Sequence, residues 1–227
     1  MIEKRQENFT IITAGGYGKR MKVAIPKQFA VIGSKPILMH TIERFLAYDA
    51  SMQIVMSLPE SEFENWGKLC ENYQFTHDLT IVAGGKTRFH SIKNALRGTA
   101  GTGLIAVHDG VRPLVSGQTI SEAFRTAKKY GSAVPICDIP FSIRKIKGEG
   151  SKAVNREQYK EVQTPQVFRA EILHKAYSQE YSEQFTDDAS VVENMGQKIF
   201  LCSGNRENVK ITYPSDMGYA ESLLYTQ

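Results

Sequence analysis

Six short apolar runs rich in β-branched residues recur along this chain, and helical patterns separate most of them. The runs are residues 9–14 (FTIITA), 53–58 (QIVMSL), 80–83 (TIVA), 104–108 (LIAVH), 132–137 (SAVPIC) and 198–202 (KIFLC). The helical patterns are 36–48, 61–71, 87–96, 116–130, 169–179, 187–195 and 216–224. Apolar strands alternating with helices build βαβ units, whose strands lie parallel with helices on both faces. The spacing therefore predicts an α/β protein with a mostly parallel, doubly covered sheet.

The rhythm breaks once, between residues 138 and 168. There 141–147 (FSIRKIK) alternates, a polar GEGSK turn follows, and 154–162 alternates again. This pattern predicts a β-hairpin leaving the sheet, an arm at about 138–160. No linker, repeat or low-complexity tract divides residues 1–227, so one domain with a protruding arm is expected.

Composition narrows the class. Hydrophobic residues at 41% and charged residues at 23% describe an ordinary soluble chain, neither disordered nor fibrous. A net charge of +4, spread along the sequence, suits a small anionic substrate and gives little support to nucleic-acid binding. Cys70, Cys137 and Cys202 lie far apart, which argues against a disulfide framework or a zinc ribbon. The five histidines do not cluster at metal-ligand spacings. The first residues carry no long apolar run, and no stretch approaches the roughly 20 apolar residues of a membrane helix, so the cytoplasm is expected.

Chemistry concentrates first at 13–29, TAGGYGKRMKVAIPKQF. Glycines after a strand let backbone N–H groups turn inward around a phosphate, although glycines alone could make only a tight turn. The segment is not a P-loop, because GKS or GKT is missing. Nor is it a dinucleotide fingerprint, because Met21 stands where a third glycine belongs. Lys19, Arg20, Lys22 and Lys27 fall within nine residues at the carboxyl end of the first strand, where open α/β sheets bind ligands. Elsewhere the plain readings compete with functional ones. Asp109 ends an apolar strand as either a turn residue or a ligand for Mg²⁺ or a hydroxyl. Ser91 could be a helix-surface serine, Lys210 a solvated strand lysine and Arg156 an exposed hairpin arginine. His108 closes a buried strand and is not expected to act as an acid or base.

The segment from Gly15 to Met21, with Pro26-Lys27-Gln28-Phe29, resembles the signature of the sugar-phosphate nucleotidyltransferase superfamily, most closely its cytidylyltransferases acting on polyol phosphates. Further blocks resemble that branch in its own order: AGGKTRFHS (83–91), VHDGVRP (107–113), QTPQVF (163–168), TDDAS (186–190) and NVKIT (208–212). Many relatives carry glycine where this chain has Lys22, and HDAARP where it has HDGVRP.

The resemblance implies a Rossmann-like three-layer fold whose β-arm serves dimerisation, and transfer of cytidylyl from CTP to a polyol phosphate with Mg²⁺. It implies that Arg20, Lys27 and Lys210 act on the transition state. Gly15, Gly16 and Gly18 would wrap the triphosphate, and backbone groups at Ala14 and Gly85 with the Ser91 hydroxyl would read cytosine. Asp109 would serve the nucleotide and the metal. Arg112, Thr186, Lys210, Ser142 and Arg156 would meet the polyol phosphate, Arg156 from the arm of the second subunit of a homodimer. TDDAS followed by Val191, Val192 and Glu193 favours 2-C-methyl-D-erythritol 4-phosphate as acceptor, whereas Tyr213-Pro214 leans toward ribitol 5-phosphate. A non-catalytic nucleotide-binding module would lack one of Arg20, Lys27 and Lys210, and all three are present.

Overall fold

The computed structural model describes residues 8–16 and 25–224. Its sheet grows from β1 (Asn8–Thr13), β4 (Gln53–Leu58), β5 (Thr80–Ala83) and β6 (Leu104–Asp109). β1 lies between β4 and β6, and β5 borders β4, with every pair parallel. Period-two alternation sorts their side chains. Ile12, Met56 and Ala106 face one core, while Ile11, Val55, Ile105 and Val107 face the other. α1 (Ile37–Tyr48), α2 (Phe63–Asn72) and α4 (Gly117–Tyr130) cover the first face. α3 (Arg88–Ala95), α5 (Ala170–Tyr177) and α6 (Asp188–Glu193) cover the second. Three layers result, as the alternation of patterns predicts. Burial of each large aliphatic side chain on these faces contributes about 1.5–3 kcal/mol.

β7 (Ser132–Asp138) follows Gly131, which closes α4 in the left-handed region at φ +95°. The sheet order there departs from a simple progression. β11 (Gln166–Arg169) inserts antiparallel between β6 and β7, and β12 (Leu201–Ser203) pairs parallel on the other edge of β7. β11 falls inside a stretch read only as a motif, because Gln166 and Arg169 hide its short apolar centre. The Thr164–Pro165 peptide bond before it is cis. Two further strands, β2 (Val31–Ile32) and β3 (Lys35–Pro36), form a small hairpin ahead of α1 that periodicity does not reveal in two residues.

Some boundaries shift. The helix expected at 61–71 opens as a 3₁₀ turn, Glu60–Glu62, before α2. The strand expected at 198–202 forms only at Leu201–Ser203. α7 (Pro214–Leu224) starts on its proline, a good first helical residue. The arm is tighter than expected. β8 (Arg144–Lys147) and β9 (Gly150–Ala153) pair around Gly148, at φ +57°, so most of GEGSK is strand rather than turn. The second alternating run is a 3₁₀ turn, Arg156–Gln158, and β10 (Lys160–Val162), which returns to pair with β7. No described helix is long and apolar enough to cross a membrane.

Candidate active site

Thr13 and Asp109 are register partners at the carboxyl ends of β1 and β6. A cavity of about 390 Å³ opens there, lined by both residues and by Ala14, Gly15, Gly16 and Lys27 from the loop after β1. Larger clefts exist, but one of about 690 Å³ lies at Asn8, Gln53 and Leu104, the amino ends of the parallel strands. Ligand chemistry in such sheets belongs at the carboxyl ends.

The loop after β1 is anchored from beneath. Ala14 donates its N–H to the Ser57 carbonyl at 2.8 Å, and its carbonyl accepts the Gln28 amide at 2.8 Å. Gln28 and Lys27 sit on the 3₁₀ turn Lys27–Phe29. A Cβ on Gly16 would lie 3.5 Å from Lys27 Cε, so the lysine stem packs along the glycine. The Lys27 ammonium donates to the Ile211 carbonyl at 3.0 Å. Across the cavity, Gly85, Lys86, Thr87 and Arg88 bring the N-terminus of α3 to the wall. That end of a helix favours negative charge. Gly85 is sterically required, since an added Cβ would fall 2.4 Å from His90 Cβ. The Gly85 N–H donates to Ser91 Oγ at 3.0 Å, and the Ser91 hydroxyl donates to the Thr87 carbonyl at 3.1 Å.

Asp109 is the electrostatic hub. Its Oδ2 accepts Lys210 Nζ at 3.0 Å and Arg112 Nε at 3.2 Å, and Arg88 Nε stands 3.7 Å from Oδ1. Burial alone would raise its pKa, but Arg88, Lys210 and Arg112 override burial and hold the carboxyl well below the usual range. Arg88 is bidentate to the fully buried Asp188, at 2.9 and 2.7 Å, and Tyr177 donates to the same carboxylate at 2.6 Å. Asp188 and Asp109 together outweigh burial and keep that guanidinium charged.

A second chain of bonds fixes the backbone under Asp109. Its N–H donates to Thr164 Oγ1 at 3.1 Å, and Thr164 Oγ1 lies 3.0 Å from His108 Nδ1. His108 Nε2 meets the Arg112 carbonyl at 3.2 Å, which makes Nε2 the donor and Nδ1 the acceptor from Thr164. Burial pushes this histidine down to about 4, so it is neutral at physiological pH.

Of the residues singled out in the sequence, Ala14, Gly15, Gly16, Lys27, Gly85, Ser91, Asp109 and Lys210 meet in the cavity. Arg20 and Gly18 lie outside the described residues. Arg112 does not line the cavity. Its guanidinium clamps Asp109 to the Asn208 carbonyl, at 2.7 Å from the latter, which makes it a support of the hub rather than part of the wall. Thr186, Ser142 and Arg156 are exposed and outside the lining, and Arg156 donates to the Pro140 carbonyl at 2.6 Å on the arm. Arg88, Asp188 and Gln28 were missed as individuals. The first two fall in the blocks AGGKTRFHS and TDDAS, but nothing in a single sequence pairs charges 100 residues apart.

A metal would find one carboxylate here, already facing three cations. Among the described residues no group of three or more His, Cys, Asp or Glu could hold an ion. The donor set thus fits Mg²⁺ carried on phosphate oxygens and water, with Asp109 as the single protein carboxylate within reach, and does not fit a protein-built cage.

A doubly wound sheet with a glycine-lined, cation-rich cavity at its carboxyl ends is the arrangement of a nucleotide-binding α/β protein. Comparison with known proteins makes this specific. The sequence model of the family described as 2-C-methyl-D-erythritol 4-phosphate cytidylyltransferase matches residues 9–226. A relative of that name from Phocaeicola vulgatus is 50% identical over 94% of this chain and 98% of its own length. Another from Bacteroides thetaiotaomicron is 47% identical over the same shares. A crystal structure of 4-diphosphocytidyl-2C-methyl-D-erythritol synthase superposes with a TM-score of 0.81 at 25% identity, covering 97% of this chain and 99% of that one. The chain belongs to the 2-C-methyl-D-erythritol 4-phosphate cytidylyltransferase family.

Proposed function

We propose that this chain transfers the cytidylyl group of CTP to 2-C-methyl-D-erythritol 4-phosphate, in isoprenoid precursor synthesis by the non-mevalonate route. The products are 4-diphosphocytidyl-2-C-methyl-D-erythritol and pyrophosphate. One observation carries the reading: in a member of this family, the glycine loop, Lys27, Arg88 and Lys210 converge with Asp109 on one cavity.

A phosphate oxygen of the acceptor forms a bond to the α-phosphorus while the bond from that phosphorus to the bridging oxygen breaks. Pyrophosphate leaves with the electron pair. The nucleophile is already an anion, so no general base is required, and none of the neutral His108 chain is asked to serve. Catalysis rests on positioning and on cations aimed where charge grows. Lys27, from the glycine side, and Lys210, from the Asp109 side, take the α-phosphate and its leaving group between them, with Arg20. Ala14, Gly85 and Ser91 frame the base. Asp109, held ionised by Arg88 and Arg112, keeps Lys210 in place. Mg²⁺ neutralises triphosphate charge when bound, with Asp109 the residue that would face it.

The arm favours a homodimer. All eight residues of β8 and β9 are exposed, Ile146 at 74%, and so is Phe141 before them, at 75%. A free hairpin is marginal in water and needs a partner surface, and a second arm across a two-fold axis is the simplest one. Arg156, absent from its own subunit's cavity, would then reach the acceptor phosphate of the neighbour, with Ser142 beside it and Thr186 from the recipient subunit. The three free thiols suit the reducing cytoplasm.

Phosphorus-31 NMR of purified protein with CTP, Mg²⁺ and the methylerythritol phosphate tests the reaction. A new pair of coupled diphosphate resonances should appear with free pyrophosphate. Nucleoside diphosphate and inorganic phosphate appearing instead would contradict cytidylyl transfer.

A further inference from the structure

Gln28 is 1% exposed and lines the nucleotide cavity, yet the mechanism gives it no task. Its side-chain amide makes one bond, from Nε2 to the Ala14 carbonyl at 2.8 Å. Its Oε1 is buried with no hydrogen-bond partner among the described residues. A buried amide with an orphaned acceptor costs stability that an apolar side chain of the same volume would not. What the amide provides in return is the grip on Ala14. The N–H of that residue is bound to the Ser57 carbonyl, so Ala14 is held from both its N–H and its C=O.

A carbonyl oxygen has two lone pairs, and Nε2 of Gln28 takes one. The other remains for a ligand, on a residue that lines the cavity. Cytosine presents an amino donor at position 4, where uracil presents a carbonyl acceptor. A fixed acceptor at the base therefore admits the first and repels the second.

We infer that Gln28 is a positioning residue for base selection, setting the direction of the Ala14 carbonyl so that it accepts the cytosine amino group. This rests on the reading of the cavity as a CTP site and assigns part of its specificity to a nearly buried side chain of the wall.

The test is steady-state kinetics of wild type and Gln28→Met with CTP and with UTP, alongside thermal unfolding. The CTP-over-UTP preference, as a ratio of kcat/KM, should fall about tenfold, the worth of one such bond. The KM for CTP should rise more than kcat falls, while the KM for the polyol phosphate stays unchanged. Gln28→Asn, one methylene shorter, withdraws the donor while keeping an amide in the core. It serves as the second variant should the methionine fail to fold. A folded variant as selective as a CTP-preferring wild type overturns this inference alone and leaves Gln28 as packing. A wild type that does not prefer CTP overturns the nucleotide reading and this inference with it.

Discussion

Lys27 and His108 show two different uses of a buried polar side chain. Lys27 is 8% exposed, and its stem is fixed along Gly16 while its ammonium reaches the cavity. A preorganised cation acts mostly on charge that develops in the transition state. Lys27→Ala should lower kcat by about 10²–10³-fold, or 2.7–4 kcal/mol, with a smaller change in KM for CTP. Unchanged turnover would remove it from the catalytic set. His108 instead links stability to pH. Burial lowers its pKa from 6.5 to about 4 against the opposing bond to the Arg112 carbonyl. Between those values the unfolded chain binds a proton that the folded one does not, so stability rises with pH through that window. Acidification from pH 6.5 toward 4 should therefore cost up to about 3 kcal/mol from this group. Urea unfolding of the nucleotide-free protein should show this acid limb flattened in His108→Gln. An identical limb in the variant would place the effect elsewhere. The sequence showed most of the cavity because its residues come in short blocks with unusual composition. It did not show Arg88 with Asp188, or Gln28 beneath Ala14, because those depend on how distant segments stack.

At the scale of elements, close approach decides where glycine is needed. Gly110 follows β6 at the point where α1 crosses the strand ends, and its N–H donates to the Thr13 carbonyl at 2.9 Å. An added Cβ would meet Leu38 Cδ1 at 2.9 Å and Thr13 O at 3.0 Å. Gly110→Ala should destabilise by about 1–3 kcal/mol through overpacking, measured by urea unfolding. Combined with Leu38→Ala, the loss should be smaller than the sum of the two single losses, because one clash partner is gone. Strict additivity would mean that α1 is not what presses on Gly110. The parallel strands were legible because apolar, β-branched runs are long enough to announce themselves. The inserted β11, the two-residue strands β2 and β3, and the true extent of the arm hairpin were not. Their pairing is set by tertiary neighbours rather than by local periodicity.

Across the whole molecule, the cavity assembles its glycine-rich and charged wall from the loop after β1, the N-terminus of α3, the end of β6 and the segment before α7, while the arm holds a further arginine away from it. The proposed dimer resolves that separation and can be tested by subunit mixing. Arg156→Ala should raise the KM for the polyol phosphate and leave CTP binding nearly intact. Mixed with Lys27→Ala under subunit exchange, it should restore activity, up to about half the wild-type sites per mixed dimer on symmetry grounds. Mixed dimers that form and stay inactive would confine Arg156 to its own subunit. The central claim concerns the reaction and its acceptor, and one assay tests it most directly. Purified protein is given CTP and Mg²⁺ with either 2-C-methyl-D-erythritol 4-phosphate or ribitol 5-phosphate, and pyrophosphate release is followed. Rapid release with the first acceptor and little with the second is the predicted result. Preference for ribitol 5-phosphate, or release with neither, would contradict it.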